Sequence, residues 1–193
     1  MRPRGPHKIA EASSVAGLGD RASQHFTYRD LCDCGETWRK SQVENLPLQA
    51  ATFGSMRRLC TEILDLIVDE FGPLQLSYGF SSPALTRLVS HRIAPRLDQH
   101  AGHELNRAGN LICARLGQAV DLDIPRRSSL EVARFIAAQT PFDRLYVYGP
   151  DRPLHVSWGP QQTGQIVVMT VHDGRRMPRV MPKDQFDRWA FGA

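Results

Sequence analysis

A long apolar segment with helical spacing is the strongest constraint on the fold. Between about Pro47 and Phe71, apolar side chains recur three and four residues apart. These side chains are Phe53, Met56, Leu59, Cys60, Ile63, Leu64, Ile67 and Phe71. The spacing predicts a core helix that ends at Gly72-Pro73, because neither residue readily continues a helix.

Other segments follow the two-residue alternation of strands. Strands are predicted at Leu74–Tyr78, Gln118–Ile124, Arg144–Tyr148 and Leu154–Trp158, and a closing hairpin at Ile166–Val171 and Arg176–Val180 around His172-Asp173-Gly174. Helices are predicted at Pro83–Val89, from the Ser128 cap to about Ala138, and at Lys183–Phe191. Because helices and strands mix without a βαβ rhythm, the predicted class is α+β, with an antiparallel sheet packed on helices.

The length of 193 residues and the 41% hydrophobic content suit one substantial core. They exclude wholesale disorder, repeat arrays and a disulfide scaffold. Residues 1–24 lack any periodic pattern and are expected to form a disordered tail. Residues 25–160 are expected to form the main domain, with 161–193 as a hairpin and short helix packed on it.

Charge and cysteine content bear on partners and location. The chain has 21 Arg but only 3 Lys and a net charge of +4, which is compatible with a polyanionic partner such as nucleic acid. It contains no apolar run of membrane-spanning length and no secretory signal, so no membrane association is expected. Four cysteines without a C-x-x-C pair favour free thiols and a cytoplasmic location.

The stretch from 90 to 116 is the longest irregular part of the ordered chain, so function is expected to concentrate there. It contains His100, His103 and Glu104. If the two imidazoles, three residues apart, share a helix face, both can reach one cleft. Residues 84–116 also hold five arginines, which predict a basic patch unless they are simply solvated: Arg87, Arg92, Arg96, Arg107 and Arg115.

Three motifs in order resemble the zinc D-alanyl-D-alanine carboxypeptidase and L-alanoyl-D-glutamate peptidase family, which shares its fold with the Hedgehog signalling domain. Ser77-Tyr78-Gly79-Phe80-Ser81-Ser82-Pro83-Ala84-Leu85 is similar to its S-G-Y-R-S-P-x-x-N turn. Gly117-Gln118-Ala119-Val120-Asp121 is similar to the end of its S-x-H-x-x-G-x-A-x-D motif. Leu154-His155-Val156-Ser157-Trp158 is similar to its W-V-H-x-S strand, and Phe142-Asp143-Arg144-Leu145 matches the segment before it. The resemblance spans roughly residues 26–158 and implies a Hedgehog/DD-peptidase-like fold.

The resemblance implies zinc ligands at Asp121 and His155 and an open coordination position for hydrolysis. The sequence departs from the family at three functional positions. Ala114 stands where the first histidine ligand is expected, Ser81 where the substrate-polarising arginine is expected, and Tyr148 where the acidic base is expected. A tyrosine cannot replace the acidic residue as a general base at neutral pH.

Two replacements for the missing ligand remain open. His100 or His103 can complete a zinc site with Asp121 and His155, with His103 and Glu104 as the candidate catalytic residues. Alternatively, the Cys113 thiolate next to the missing histidine can serve as a ligand. A third interpretation leaves Asp121 and His155 as a hydrogen-bonded relic of an ancestral site.

The primary functional hypothesis is a peptidase-like protein with a remodelled metal centre, either inactive or capable of metal-assisted hydrolysis of a peptide-like substrate. The alternative is a non-catalytic module whose arginine-rich cleft binds nucleic acid or another polyanion. A cell-wall peptidase released by lysis, as in phage enzymes, is the least favoured hypothesis.

Overall fold

The computed structural model describes residues 16–89, 95–172 and 175–191. Within these ranges the helices are Tyr28–Cys32 (α1), Glu36–Ser41 (α2), Ala50–Leu59 (α3), Asp65–Phe71 (α4), Pro83–Thr86 (α5), Ser129–Gln139 (α6) and Lys183–Phe186 (α7). The strands are Gln75–Tyr78 (β1), Gln118–Asp123 (β2), Arg144–Val147 (β3), Leu154–Trp158 (β4), Gln165–His172 (β5) and Arg175–Met181 (β6). Short 3-10 turns lie at Pro95–Leu97 and Gln99–Ala101.

The predicted core helix is confirmed over residues 50–71. It consists of α3, a π-helical segment at Cys60–Leu64 and α4. Leu59, Ile63 and Ile67 are fully buried on its inner face. The periodic pattern did not reveal the π segment, because apolar spacing does not report how the backbone hydrogen bonds are paired.

In the described part of the chain, six strands form one sheet in the order β1-β2-β4-β3-β5-β6. The prediction of a purely antiparallel sheet is wrong at one pair, since β3 and β5 are parallel. The loop 159–164 passes the start of β3 to make this pairing, and Asp143 holds it. The Asp143 carboxylate accepts hydrogen bonds of 2.9 Å from both the backbone N–H and the hydroxyl of Thr163. The class is therefore α+β, with a mixed sheet packed on helices.

The alternation of β2 separates the core from the opposite face of the sheet. Val120 and Leu122 are fully buried and belong to the same apolar cluster as Ile63 and Ile136 of the helices. Because successive strand side chains point to opposite faces, Asp121 faces away from this core. The turns between residues 95 and 101 lie near that second face.

The expected disordered tail begins to be ordered earlier than the sequence indicated. Residues 1–15 of that tail lie outside the described ranges. Residues 16–24 are anchored, since the Leu18 carbonyl accepts a 2.8 Å hydrogen bond from Arg29 N–H and the Ser23 hydroxyl donates one of 2.7 Å to Asp65. Polar contacts of this kind join residues far apart in sequence and leave no periodic signal.

The C-terminal segment belongs to the same sheet as the rest of the chain. β5 pairs with β3 and β6, and Met181 and Phe186 are buried in the common core. Residues 173–174 of the predicted hairpin turn lie outside the described residues. Among the helices that the structure describes, none is both long and apolar enough to cross a membrane.

Candidate metal centre

Asp121 and His155 are brought together by strand register. Asp121 on β2 lies directly opposite His155 on the antiparallel strand β4. Tyr78 on β1 pairs with Asp121, and Tyr146 on β3 pairs with His155. The four side chains form a row across neighbouring strands on the face of the sheet away from the helical core.

His100 reaches this row from the 3-10 turn Gln99–Ala101. The Asp98 carboxylate accepts a 3.1 Å hydrogen bond from the His100 N–H and thereby caps the turn. Gln99 ties the turn to the sheet, because its amide donates to Asp143 at 2.9 Å and accepts from the Ser157 hydroxyl at 2.8 Å. These contacts hold the turn, and with it His100, against the sheet.

The three side chains place their ligand atoms within hydrogen-bonding distance of one another. Asp121 Oδ1 lies 2.8 Å from His155 Nδ1 and 3.4 Å from His100 Nε2, and the two imidazole nitrogens are 3.2 Å apart. The His100 side chain is 6% exposed, whereas that of Asp121 is 28% exposed and can be approached from solvent. The group formed by His100, Asp121 and His155 can hold a metal ion.

The second nitrogen of His100 determines its tautomer. Nδ1 lies 2.8 Å from the Gly79 carbonyl oxygen, which only accepts hydrogen bonds, so Nδ1 carries a proton. In the neutral imidazole, Nε2 then presents its lone pair to Asp121 and His155. A hydrogen bond from the other ring nitrogen to a backbone carbonyl commonly orients metal-binding histidines. Gly79 can approach because it lacks a side chain: a Cβ there would lie 2.1 Å from the Leu31 carbonyl oxygen.

The charges in the group shift the pKa values of two members in opposite directions. Burial opposes ionisation of Asp121, but the charges and hydrogen bonds of His100 and His155 outweigh it, so the pKa of Asp121 lies well below its ordinary value. Burial lowers the pKa of His100, whereas the Asp121 charge and hydrogen bond raise it, and the net pKa is raised. Without a metal, the Asp121 carboxylate therefore favours a proton on His100, in the place where a metal cation can bind.

The side chains of His100, Asp121 and His155 line a cleft with a volume of about 370 Å³. Its wall also contains three tyrosines, Tyr78, Tyr146 and Tyr148. The Tyr146 ring packs edge-on against His155 at 5.1 Å and stacks on Tyr148 with the centroids 6.4 Å apart. Burial, followed by the negative charge of Asp121, raises the pKa of Tyr148 far above its ordinary value. Its hydroxyl is therefore protonated at neutral pH.

The structure does not bring His103, a predicted ligand and catalytic residue, into this group. Its Nε2 lies 2.9 Å from Ser55 Oγ and accepts a 3.3 Å hydrogen bond from Gly117 N–H. Burial lowers its pKa. The expected common helix face does not form, because the turn ends at Gly102 with a φ of 58° and the chain changes direction. His103 thus links α3 to the start of β2.

Glu104, the other predicted catalytic residue, caps a helix. It is 1% exposed, and its carboxylate accepts hydrogen bonds from Leu48 N–H, Gln49 N–H and the Thr52 hydroxyl at 2.8–3.2 Å. These donors lie at the beginning of α3, where unpaired N–H groups favour a negative charge. The prediction of a catalytic role finds no support in this position.

Two other positions from the sequence lie outside the group. Cys113 is fully buried, burial raises the pKa of its thiol, and it is not among the three side chains whose ligand atoms converge. Ala114, which aligns with the missing histidine, is exposed and donates its N–H to the Arg96 carbonyl oxygen at 3.3 Å. The segment containing Ala114 therefore runs beside the turns that carry His100.

Sequence reasoning missed the residues that support the group. Tyr146 occupies the strand position opposite His155, and Gln99 anchors the turn next to His100. The two-residue alternation along the predicted strand Arg144–Tyr148 places Tyr146 and Tyr148 on the same face of the sheet, and that pattern is visible in the sequence. No sequence signal identified Gln99, because its partners Asp143 and Ser157 are 44 and 58 residues away.

The arginines do not form a basic wall around this cleft. Among the described arginines that the sequence grouped in residues 84–116, Arg115 lines the cleft and donates a hydrogen bond to the Leu97 carbonyl oxygen. Arg87, Arg96 and Arg107 are exposed, and Arg92 lies outside the described residues. A second cavity of about 530 Å³ contains three other arginines but also two acids: Arg126, Arg127, Arg152, Asp123 and Asp151. Nucleic-acid binding therefore stays a prediction that no specific contact favours.

Comparison of the chain with models of protein families, with curated proteins and with solved structures found no significant match in any of the three.

Proposed function

We propose that the protein is a zinc-dependent, peptidase-like hydrolase whose metal ligands are His100, Asp121 and His155. The observation that supports this proposal is the convergence of three ligand atoms, 2.8–3.4 Å apart, in the wall of a cleft. Two of these residues come from adjacent strands and the third from a turn that is distant in sequence.

The donor set and its spacing support zinc. Two imidazole nitrogens and one carboxylate oxygen match catalytic zinc sites, which keep a further position open. Bonds of about 2.0–2.1 Å at tetrahedral angles separate neighbouring donor atoms by about 3.3 Å. The observed separations lie close to this value, so small side-chain movements suffice to accommodate the ion.

When bound, zinc in such a site supplies a Lewis acid and lowers the pKa of a water molecule. The protein residues have separate roles. Gly79 orients His100, the strand register orients Asp121 and His155, and the tyrosines shape the wall against which a substrate lies.

A peptide-like substrate is supported by the resemblance of the three sequence motifs to zinc peptidases. The remodelling is extensive, however. Ser81, at the expected arginine position, is 1% exposed, and its hydroxyl is 2.8 Å from that of Thr86. Tyr148 replaces the expected acidic base and lines the cleft. We therefore expect slower hydrolysis, or a different preference, than in an enzyme that retains both groups.

The first experiment measures zinc. The purified full-length protein is stripped with a chelator, reloaded with zinc, desalted and analysed by mass spectrometry for bound metal. We expect about one zinc per chain in the wild type and a loss of zinc in His100→Ala, Asp121→Ala and His155→Ala. Asp123→Ala is the matched control, because it removes a half-buried carboxylate from the same strand but outside the group.

The second experiment measures hydrolysis by the zinc-loaded protein of a mixture of fluorogenic peptides. We expect cleavage that the chelator abolishes and zinc restores. A folded wild type that retains no zinc would overturn the metal site. Retention of zinc without cleavage of any peptide would overturn the hydrolase function while leaving the metal site intact.

A further inference from the structure

We propose that Tyr148 is a catalytic residue of this site, whose hydroxyl donates a hydrogen bond to the substrate carbonyl oxygen as negative charge develops there. The inference rests on the proposed hydrolase function and assigns a role to a group that replaces the expected acid.

The position of Tyr148 is set by β3 and its neighbours. Tyr146 lies opposite His155 in the register of β3 and β4, and its ring contacts that imidazole edge-on. Tyr148 follows two residues later and stacks nearly parallel on Tyr146, at an interplanar angle of 18°. Both rings line the cleft that contains the three candidate ligands. A metal ligand, a spacer ring and the Tyr148 ring therefore form a continuous wall.

The Tyr148 hydroxyl is suited to donate a hydrogen bond and not to act as a base. Burial disfavours the phenolate of Tyr148, and the ordinary pKa of a phenol already lies well above neutral pH, so the proton stays on the hydroxyl. A protonated phenol can stabilise the charge that builds on a carbonyl oxygen during attack. No proton leaves Tyr148 in this role, and no additional reactant is required.

The other donors expected near the carbonyl are not placed to replace it. Ser81, at the position of the expected arginine, is buried and does not line the cleft. Arg115 does line the cleft, but its guanidinium group donates a 3.2 Å hydrogen bond to the Leu97 carbonyl oxygen. Three tyrosines line the cleft, Tyr78, Tyr146 and Tyr148, and Tyr148 is the one that stands where the sequence resemblance expects the acidic base.

The test compares Tyr148→Phe with Tyr28→Phe in the full-length, zinc-loaded protein. Each substitution removes one phenol oxygen, and Tyr28 lies in the core against Phe53, 5.0 Å between ring centroids. The probe is dimethylphosphinate, a small tetrahedral oxyanion, and its binding is measured by calorimetry. We expect Tyr148→Phe to retain zinc but to bind the probe roughly 10-fold or more weakly, as the loss of a charge-assisted hydrogen bond predicts. Tyr28→Phe should bind it like the wild type.

Hydrolysis of a cleaved peptide gives a second readout. We expect Tyr148→Phe to lower kcat by roughly 100-fold with little change in KM, because the hydrogen bond strengthens as charge develops. Equal probe binding by wild type and Tyr148→Phe, including no measurable binding to either, overturns the inference. Failure of the proposed function is distinguishable, because it appears as absence of bound zinc or of peptide cleavage in the wild type.

Discussion

Asp121 Oδ1 and His155 Nδ1 lie 2.8 Å apart because the two residues are direct cross-strand partners on β2 and β4. A shift of one residue in this register would turn one of the side chains toward the helical core. The sheet therefore supplies two candidate ligands as a pair, and His100 completes the group from a separate turn.

The first prediction concerns the two candidate histidines of the irregular stretch. His100→Gln should weaken zinc binding by about 100-fold or more, because two protein ligands rarely hold catalytic zinc. His103→Gln should retain zinc, because His103 contacts Ser55 and Gly117 outside the group. Titration against a fluorescent zinc chelator measures both affinities. The reverse order of effects would assign the ligand to His103.

The second prediction concerns pH in the metal-free protein. The folded pKa of His100 is raised above 6.5, so its stabilising contribution is present below that pH and is lost as pH rises through the folded value. The pKa of Asp121 is lowered from 3.8, so its contribution is present above that pH and is lost as pH falls through the folded value. The pair is expected to stabilise most between pH 3.8 and 6.5.

Urea unfolding with a chelator present should therefore show a larger loss of stability for His100→Gln at pH 5.5 than at pH 8. Zinc affinity should change in the opposite sense and rise toward pH 8, because the ion displaces protons from the imidazoles. An unfolding free-energy difference between wild type and variant that does not vary with pH would contradict the assigned ionisation.

The third prediction concerns Glu104 as a structural residue. Glu104→Gln should lower the free energy of unfolding by about 1–3 kcal/mol, because the beginning of α3 loses a charged hydrogen-bond acceptor. The zinc content of the folded protein should not change. Glu70→Gln, an exposed glutamate near the end of α4, is the control and should have little effect. If Glu104→Gln kept full stability but lost peptide cleavage, the result would instead assign a catalytic role to Glu104.

The fourth prediction concerns Gln99, which we expect to position His100. Gln99→Leu should weaken zinc binding by about 10- to 100-fold without removing a ligand, as substitutions behind metal ligands commonly do. The reason is that the turn loses its amide contacts with Asp143, Ser157 and the Leu116 carbonyl oxygen. The exposed residue Gln161, replaced in the same way, is the control. Zinc affinity is measured where circular dichroism shows both variants folded, and unchanged affinity in Gln99→Leu would contradict the positioning role.

The amino-acid sequence by itself determined the local elements. Periodicity located the helix that forms over residues 50–71, and alternation located β2 and β4 with their candidate ligands. The predicted Ser128 cap is present, because its hydroxyl accepts the Leu130 N–H. The Glu131 side chain pairs with Arg127 at 3.1 Å instead of making the predicted return contact with the Ser128 backbone. Such features depend on residues close in sequence, so the local pattern of apolar and polar residues is enough to predict them.

Only the tertiary structure decided which residues meet. The parallel pairing of β3 with β5 depends on Asp143 holding Thr163, and the choice of His100 over His103 depends on the chain reversal at Gly102. Likewise, Tyr148 acquires its place beside the ligand group through the order of strands in the sheet. These outcomes arise from contacts between residues far apart in sequence, whose geometry is fixed by packing and not by the local preferences that periodic patterns record.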